Sequence, residues 1–398
     1  MKKYNLYCTG CNHKESINKN ISRCPKCQEP MEVELITEGK INYSKDKGQS
    51  ILERYSDFFP YLDISREDSL GEGFTPLVKL DNIEKELDLK SIYLKNESQN
   101  PTWSFKDRGT LLGILHAKSL SYKKVGTVST GNMAPSVAAY AAKFKFESYI
   151  FVKDAIAEEK LNPILIYNPK LFKVKGDYGS LYYNTLELGE KKDIYFINSD
   201  VPLRVEGSKT IAFEICEQLN FEMPDYVIVP TSAGGNIRGI EKGFREFKEA
   251  GIIDKIPKII CAQSAGCSPI DKVFSENKEK IERFENPSTI AHAIENPLPP
   301  SGNQVLRMLK RNGGFTVSVE DDEIIDAQKD LAQNGLFLQP ASCVPLAALK
   351  KLRQEKKIQK DSKVVLIGTG GGLKYTSVFE KYKFNYTTLE LEDIENID

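Results

Sequence analysis

Three times this chain runs a stretch of β-branched and apolar residues into a glycine-bearing turn and on into a helix-forming run. KKVGTV leads to STGN at 129–132, VIVPT to SAGGN at 232–236, and VVLI to GTGGG at 368–372. A strand–turn–helix unit used repeatedly predicts an α/β protein with a mostly parallel sheet and helices packed on it. SYIFV, LFKVKG and PKIICAQ read as further strands, and MAPSVAAYAAKF and IRGIEKGFREFKEA as helices. In such sheets ligands bind at the carboxyl ends of the strands, where these turns lie. Glycine there lets backbone amides approach a ligand closely, and the following helix N-terminus favours an anion.

At 398 residues the chain exceeds one ordinary domain. Its net charge of −1 offers no bulk field for nucleic acid or an anionic membrane, so neither is expected as a partner. No apolar run approaches bilayer length, and MKKYNLYCTG has no apolar core behind its lysines. A cytoplasmic protein is expected.

Four of the eight cysteines fall in the first 27 residues as CTGC and CPKC, with twelve residues between Cys11 and Cys24. That spacing lets two knuckles converge on one tetrahedral ion, so Cys8, Cys11, Cys24 and Cys27 are expected to hold a structural zinc. His13 is read as a bystander. Residues 1–38 form a zinc-ribbon-like module, TEGKINYSKDKGQS a connector, and 39–398 the main body, with a smaller subdomain at about 110–200. The remaining cysteines read as bland thiols, although Cys267 follows a glycine and is open to being exposed. The tail LELEDIENID reads as a solvated terminus.

NPTWSFKDRG, 100–109, carries the chain's only tryptophan beside Lys106, Asp107 and Arg108. By composition alone this is a surface charge run. An anion nest, an uncharged polar residue and a special lysine together suggest pyridoxal phosphate: an amine for the cofactor's aldehyde, amides for its phosphate, a donor for its phenolic oxygen.

NPTWSFKDRG resembles the lysine motif of the fold type II pyridoxal-phosphate enzymes (tryptophan synthase β-like), usually written with glycine where Trp103 stands. GEGFTPL (71–77), STGNMAPSVAAYAA (129–142), PTSAGGNI (230–237), GLFLQPAS (335–342) and VVLIGTGGGLK (364–374) resemble further signatures of that family in the same order. FINSDVPLRVEGSKT (196–210) and the terminal Gly-Leu-Lys resemble the threonine synthases, some of which also have a four-cysteine module.

The resemblance implies two α/β subdomains with parallel sheets beside the ribbon. It implies that Lys106 is the catalytic lysine joined to the cofactor and that Asn132 meets the phenolic oxygen. Ser232, Ala233, Gly234, Gly235 and Asn236 would surround the phosphate, and Thr369 would offer a hydroxyl to the ring nitrogen. Ser129 and Thr130 would take the carboxylate of a small amino-acid substrate, with Arg204 and Lys209 candidates for that substrate's own phosphate. The implied reaction converts O-phospho-L-homoserine and water to L-threonine and phosphate, and a homodimer is expected.

Several positions depart from the family pattern: Trp103, Gln339, Val201, Leu203, Ser208, Met133 and Pro135. Trp103 reads equally as a core ring beside the pocket or as a wall reshaping the substrate site. These departures keep open a related enzyme that eliminates or replaces at the β carbon of serine, threonine or an activated serine. A non-catalytic reading, with the ribbon as a binding module, requires the Lys106, Asn132 and Thr369 set to be idle.

Overall fold

The computed structural model describes residues 3–36, 41, 43–44, 48–176 and 178–391. The expected boundary at 38/39 and most of the acidic tail lie outside those residues. At the N-terminus, β1 (Lys3–Cys8) pairs antiparallel with both β2 (Lys14–Glu15) and β3 (Met31–Ile36). So small a module has little core of its own. Leu6, Cys8, Ile17, Cys24, Met31 and Val33 are buried together, and Leu203, distant in sequence, completes their cluster.

The body contains two further sheets. The larger is built from β4 (Leu77–Lys79), β5 (Ser91–Asn96), β10 (Tyr226–Pro230), β11 (Lys258–Ser264), β12 (Phe315–Val319) and β13 (Lys363–Gly368), in the order β12-β11-β10-β13-β5-β4. All its pairings are parallel except β4 with β5. The smaller holds β6 (Lys124–Val128), β7 (Glu147–Lys153), β8 (Lys170–Val174) and β9 (Ile194–Phe196), all parallel, in the order β8-β7-β6-β9. β10, β11 and β13 are buried almost throughout, as strands covered on both faces must be. No helix among the described residues is long and apolar enough to cross a membrane.

Every strand expected above is present, and so are both quoted helices, but the GTGGG turn leads only into short 3-10 turns at Gly372–Lys374 and Thr376–Lys381, not into the expected helix. The sequence reading passed over β5, whose Ser-Ile-Tyr-Leu-Lys-Asn looks half polar. Lys95 is in fact fully buried there, paired with Glu214 at 2.6 Å. β9 has three residues, too few for a pattern.

Three helices meet between the sheets. Lys106–Ser119 crosses Pro202–Gln218, which crosses Gly235–Glu249. The approach is close: a Cβ on Gly109 would lie 2.5 Å from the Arg204 carbonyl oxygen, and one on Gly207 2.3 Å from that of Arg108. Residues 202–216 are buried on every side, so this helix has no amphipathic stripe.

Candidate active site

The family-like motifs meet at the carboxyl ends of β5, β6, β10 and β13. Lys106 is the first residue of its helix, and the loop before it is held by main-chain and side-chain bonds. Asp107, fully buried, accepts from the Thr102 amide and hydroxyl at 2.6 Å each and from the Ser136 hydroxyl at 2.6 Å. Phe105 N donates to the Thr369 carbonyl at 3.0 Å, and Gly371 N to the Trp103 carbonyl at 3.1 Å. Arg108 donates to Glu97 at 2.6 and 2.8 Å and to Glu214 at 2.5 and 2.9 Å. Thr75 and Gly73, from GEGFTPL, bond the same network through Glu97 and Asn100. Asp107 and Arg108 are therefore internal anchors, and the surface-charge reading of this segment falls.

Lys106 itself differs from these anchors. It is half-buried, its ammonium lies 4.3 Å from the Phe105 ring centroid, and it makes no ion pair among the described residues. Burial, then the charges of Arg204 and Lys374, hold its pKa well below the ordinary lysine range. Arg204 and Lys374 are likewise without carboxylate partners among the described residues. Burial lowers Arg204 to about 10, and its Nε has no hydrogen bond. Lys374 is brought down to about 8 by burial and donates to the Thr102 carbonyl at 2.5 Å. Three cations so placed, none of them ion-paired among the described residues and only Arg204 and Lys374 partly offset by the charges of Asp200 and Asp107, are a site for a bound anion.

The loop after β10 has the features of a phosphate cradle. Gly234 caps the Gly235–Glu249 helix at φ 93°, a conformation that favours glycine, and a Cβ there would strike Val305 at 2.8 Å. That helix has no side-chain cap and no acidic residue in its first turn, which leaves its amides for an anion. Both polar atoms of the Asn236 side chain are buried without a partner, as is the Ser104 hydroxyl. Ser232 and Ala233 line the same loop, half-buried. Asn132, buried ahead of the Met133–Lys143 helix, donates to Gln339 at 3.1 Å. Ser129 Oγ accepts from the Gly131 amide at 3.1 Å, and Thr130 is half-buried beside it. Thr369 Oγ1 is buried 2.8 Å from Ser342 Oγ, which also accepts from Gly370 N at 2.8 Å. The orphaned Asn236 amide, the uncapped amides and the unpaired lysine fit a phosphate-bearing aldehyde cofactor.

The pyridoxal-phosphate dependent enzyme family matches residues 69–370. A threonine synthase of Methanocaldococcus jannaschii is 44% identical over 323 residues, 81% of this chain and 80% of that one. The chain belongs to the threonine synthase family. A second threonine synthase, from Methanosarcina acetivorans, is 36% identical over 374 residues, 93% of this chain and 92% of its own. Among solved structures, threonine deaminase isoform 2 of Solanum lycopersicum aligns over 87% of this chain and 97% of its own, with a TM-score of 0.69 at 22% identity. Maize serine racemase does so over 83% and 95%, with a TM-score of 0.68 at 22% identity. These two show the shared fold.

Three expectations for this threonine synthase family member need correction. Lys209 is not free to meet a substrate: it is fully buried, donates to Glu206 at 2.7 Å and to the Phe58 carbonyl at 2.9 Å, and is ion-paired with Glu246 at 3.0 Å. Trp103 is no core ring, being 60% exposed at φ 58°. Cys267 is buried, and burial pushes its thiol up to about 11. Lys374 is the residue sequence reasoning missed; the terminal Gly-Leu-Lys of its motif was the available signal.

The four ribbon sulphurs lie within 4.8 Å of one another, a donor set that fits a tetrahedral thiolate metal. His13 turns instead to Glu15, at 3.0 Å.

Proposed function

We propose that this enzyme converts O-phospho-L-homoserine and water to L-threonine and inorganic phosphate. The observation that carries this reading is Arg204, a buried guanidinium without an ion pair among the described residues, beside an unpaired Lys106. A dianionic phosphate on the substrate satisfies that charge, whereas serine or threonine offers nothing to it.

Pyridoxal phosphate, when bound, supplies an electron sink that acidifies the substrate's α and β C–H bonds. Ser232, Ala233, Gly234, Gly235 and Asn236 take its phosphate on backbone amides and the Asn236 side chain. Asn132 meets its phenolic oxygen. Thr369, with Ser342 able to donate to its oxygen, turns its own hydroxyl proton toward the ring nitrogen. A neutral Lys106 amine, favoured by burial and by two neighbouring cations, is the base that moves protons at the substrate's α and β carbons. Ser129, Thr130 and the amides beside them hold the substrate carboxylate. Arg204 holds the phosphate and stabilises its charge as it leaves, and Lys374 adds to the same field. Cys8, Cys11, Cys24 and Cys27 hold a structural zinc, and the other four cysteines, none of them in a disulfide, suit a reducing, cytoplasmic setting.

The test is incubation of cofactor-loaded protein with O-phospho-L-homoserine, assaying threonine and phosphate together. Equal release of both supports the reading. Ammonia and a keto acid from serine, with no phosphate released from phosphohomoserine, would overturn it.

A further inference from the structure

The stretch from Asn198 to Arg204, which leads from β9 into the first turn of the Pro202–Gln218 helix, packs against β6, the loop after β10 and the Lys106–Ser119 helix. Asn198 Oδ1 accepts from Val128 N at 3.1 Å, the Ser199 carbonyl lies where a Cβ on Gly235 would come within 2.7 Å, and Arg204 packs on Gly109. Within it Asp200 and Arg204 are both buried, oppositely charged and four residues apart, yet no ion pair joins them. Asp200 Oδ1 and Arg204 Nε each lack a hydrogen bond. The other oxygen of Asp200 is engaged elsewhere: it pairs with Arg23 Nη2 at 2.9 Å and accepts from the Tyr182 hydroxyl at 2.5 Å. Arg23 is the residue before Cys24, and its Nη1 donates to the Gln28 carbonyl at 2.7 Å, so the second cysteine knuckle fixes where it points.

Opposite charges left apart in a buried place require something to keep them apart. We infer that Arg23, from the cysteine module, is a positioning residue that holds the Asp200 carboxylate back from Arg204 and so leaves the guanidinium open to the substrate's phosphate. This rests on the reading of Arg204 and of the substrate given above. Without Arg23, the carboxylate turns to Arg204 and competes with the substrate for it. The ribbon thereby acts on substrate affinity without touching substrate.

Arg23→Gln, Arg23→Lys and the double variant Arg23→Gln/Asp200→Asn test this, with kcat and KM for O-phospho-L-homoserine and the inhibition constant of inorganic phosphate as readouts. Cofactor absorbance and metal content are checked in each protein. Competition for one charge-assisted contact predicts that Arg23→Gln raises KM and the phosphate inhibition constant by about tenfold, with kcat within about twofold. Arg23→Lys keeps most of the wild-type KM. The double variant recovers it, because no carboxylate is left to intrude; a merely structural arginine would not be rescued in this way. An unchanged KM in Arg23→Gln, or a double variant no better than the single one, overturns the inference. Should Arg23→Gln lose its metal, Tyr182→Phe, outside the ribbon, carries the test. It releases the same carboxylate oxygen and must raise both constants by about threefold, or the inference fails. A wild-type protein that releases no phosphate from phosphohomoserine sinks the substrate reading instead, which keeps the two failures separate.

Discussion

At the scale of single residues, the site divides into groups that are satisfied and groups that are not. Asp107 and Arg108 have every bond they need, while Lys106, Arg204 and Asn236 do not, and those are the candidates for chemistry. Lys106→Ala should cut threonine release by at least about 10³-fold and abolish the borohydride-reducible chromophore; retained colour with full turnover would refute its role. Lys374 loses its positive charge as pH rises through about 8, where an ordinary lysine would keep it to 10.5. The value of kcat/KM should therefore fall above about pH 8, and Lys374→Met should flatten that limb while lowering the plateau. Trp103 sits in a left-handed conformation that costs a non-glycine residue about 1 kcal/mol, with its ring mostly in water. Trp103→Gly should leave the denaturation midpoint unchanged or slightly higher, whereas loss of a core ring would cost about 3–5 kcal/mol. The lysine, asparagine and glycine motifs were legible in the sequence because their residue types are rare in that arrangement. Which of two basic residues in one helix stays unpaired was not, since Arg204 and Lys209 differ only in what folds against them.

At the scale of elements, strands with continuous apolar runs were readable. The helix Pro202–Gln218 was not, because burial on all sides leaves no periodic face. Its contacts also explain three departures from the family pattern. Leu203 fills the ribbon's core, Val201 is buried just before the helix, and Ser208 lies where a Cβ on Gly239 would come within 2.6 Å of it. All three positions are buried in packing contacts, which accounts for apolar or small side chains there. Gly207→Ala should force the Pro202–Gln218 and Lys106–Ser119 helices apart. A loss of about 1–3 kcal/mol, with weaker cofactor retention measured by absorbance after dialysis, is expected.

At the scale of the whole molecule, charge stitches the parts together. Burial alone would raise the pKa of Glu214, but Arg108 and Lys95 hold it at about 2; Glu32, on β3, is held at about 2 against burial by Lys242, Arg238 and Arg245. A carboxylate with a depressed native pKa contributes stability above its unfolded value of 4.5, and that contribution is lost as pH falls toward about 2. Unfolding followed by circular dichroism should therefore steepen between those limits, and Glu32→Gln should remove part of the slope. This stitching also bears on how the chain is made. The cysteine module leaves the ribosome before its docking partners, Asp200, Leu203, Arg238, Lys242 and Arg307, which arrive much later. At ordinary elongation rates it waits roughly 15–60 s for them. During that interval a metal bound by the four thiolates would keep the two knuckles in register, so the ion's first service would be to the nascent chain, before any catalytic surface exists.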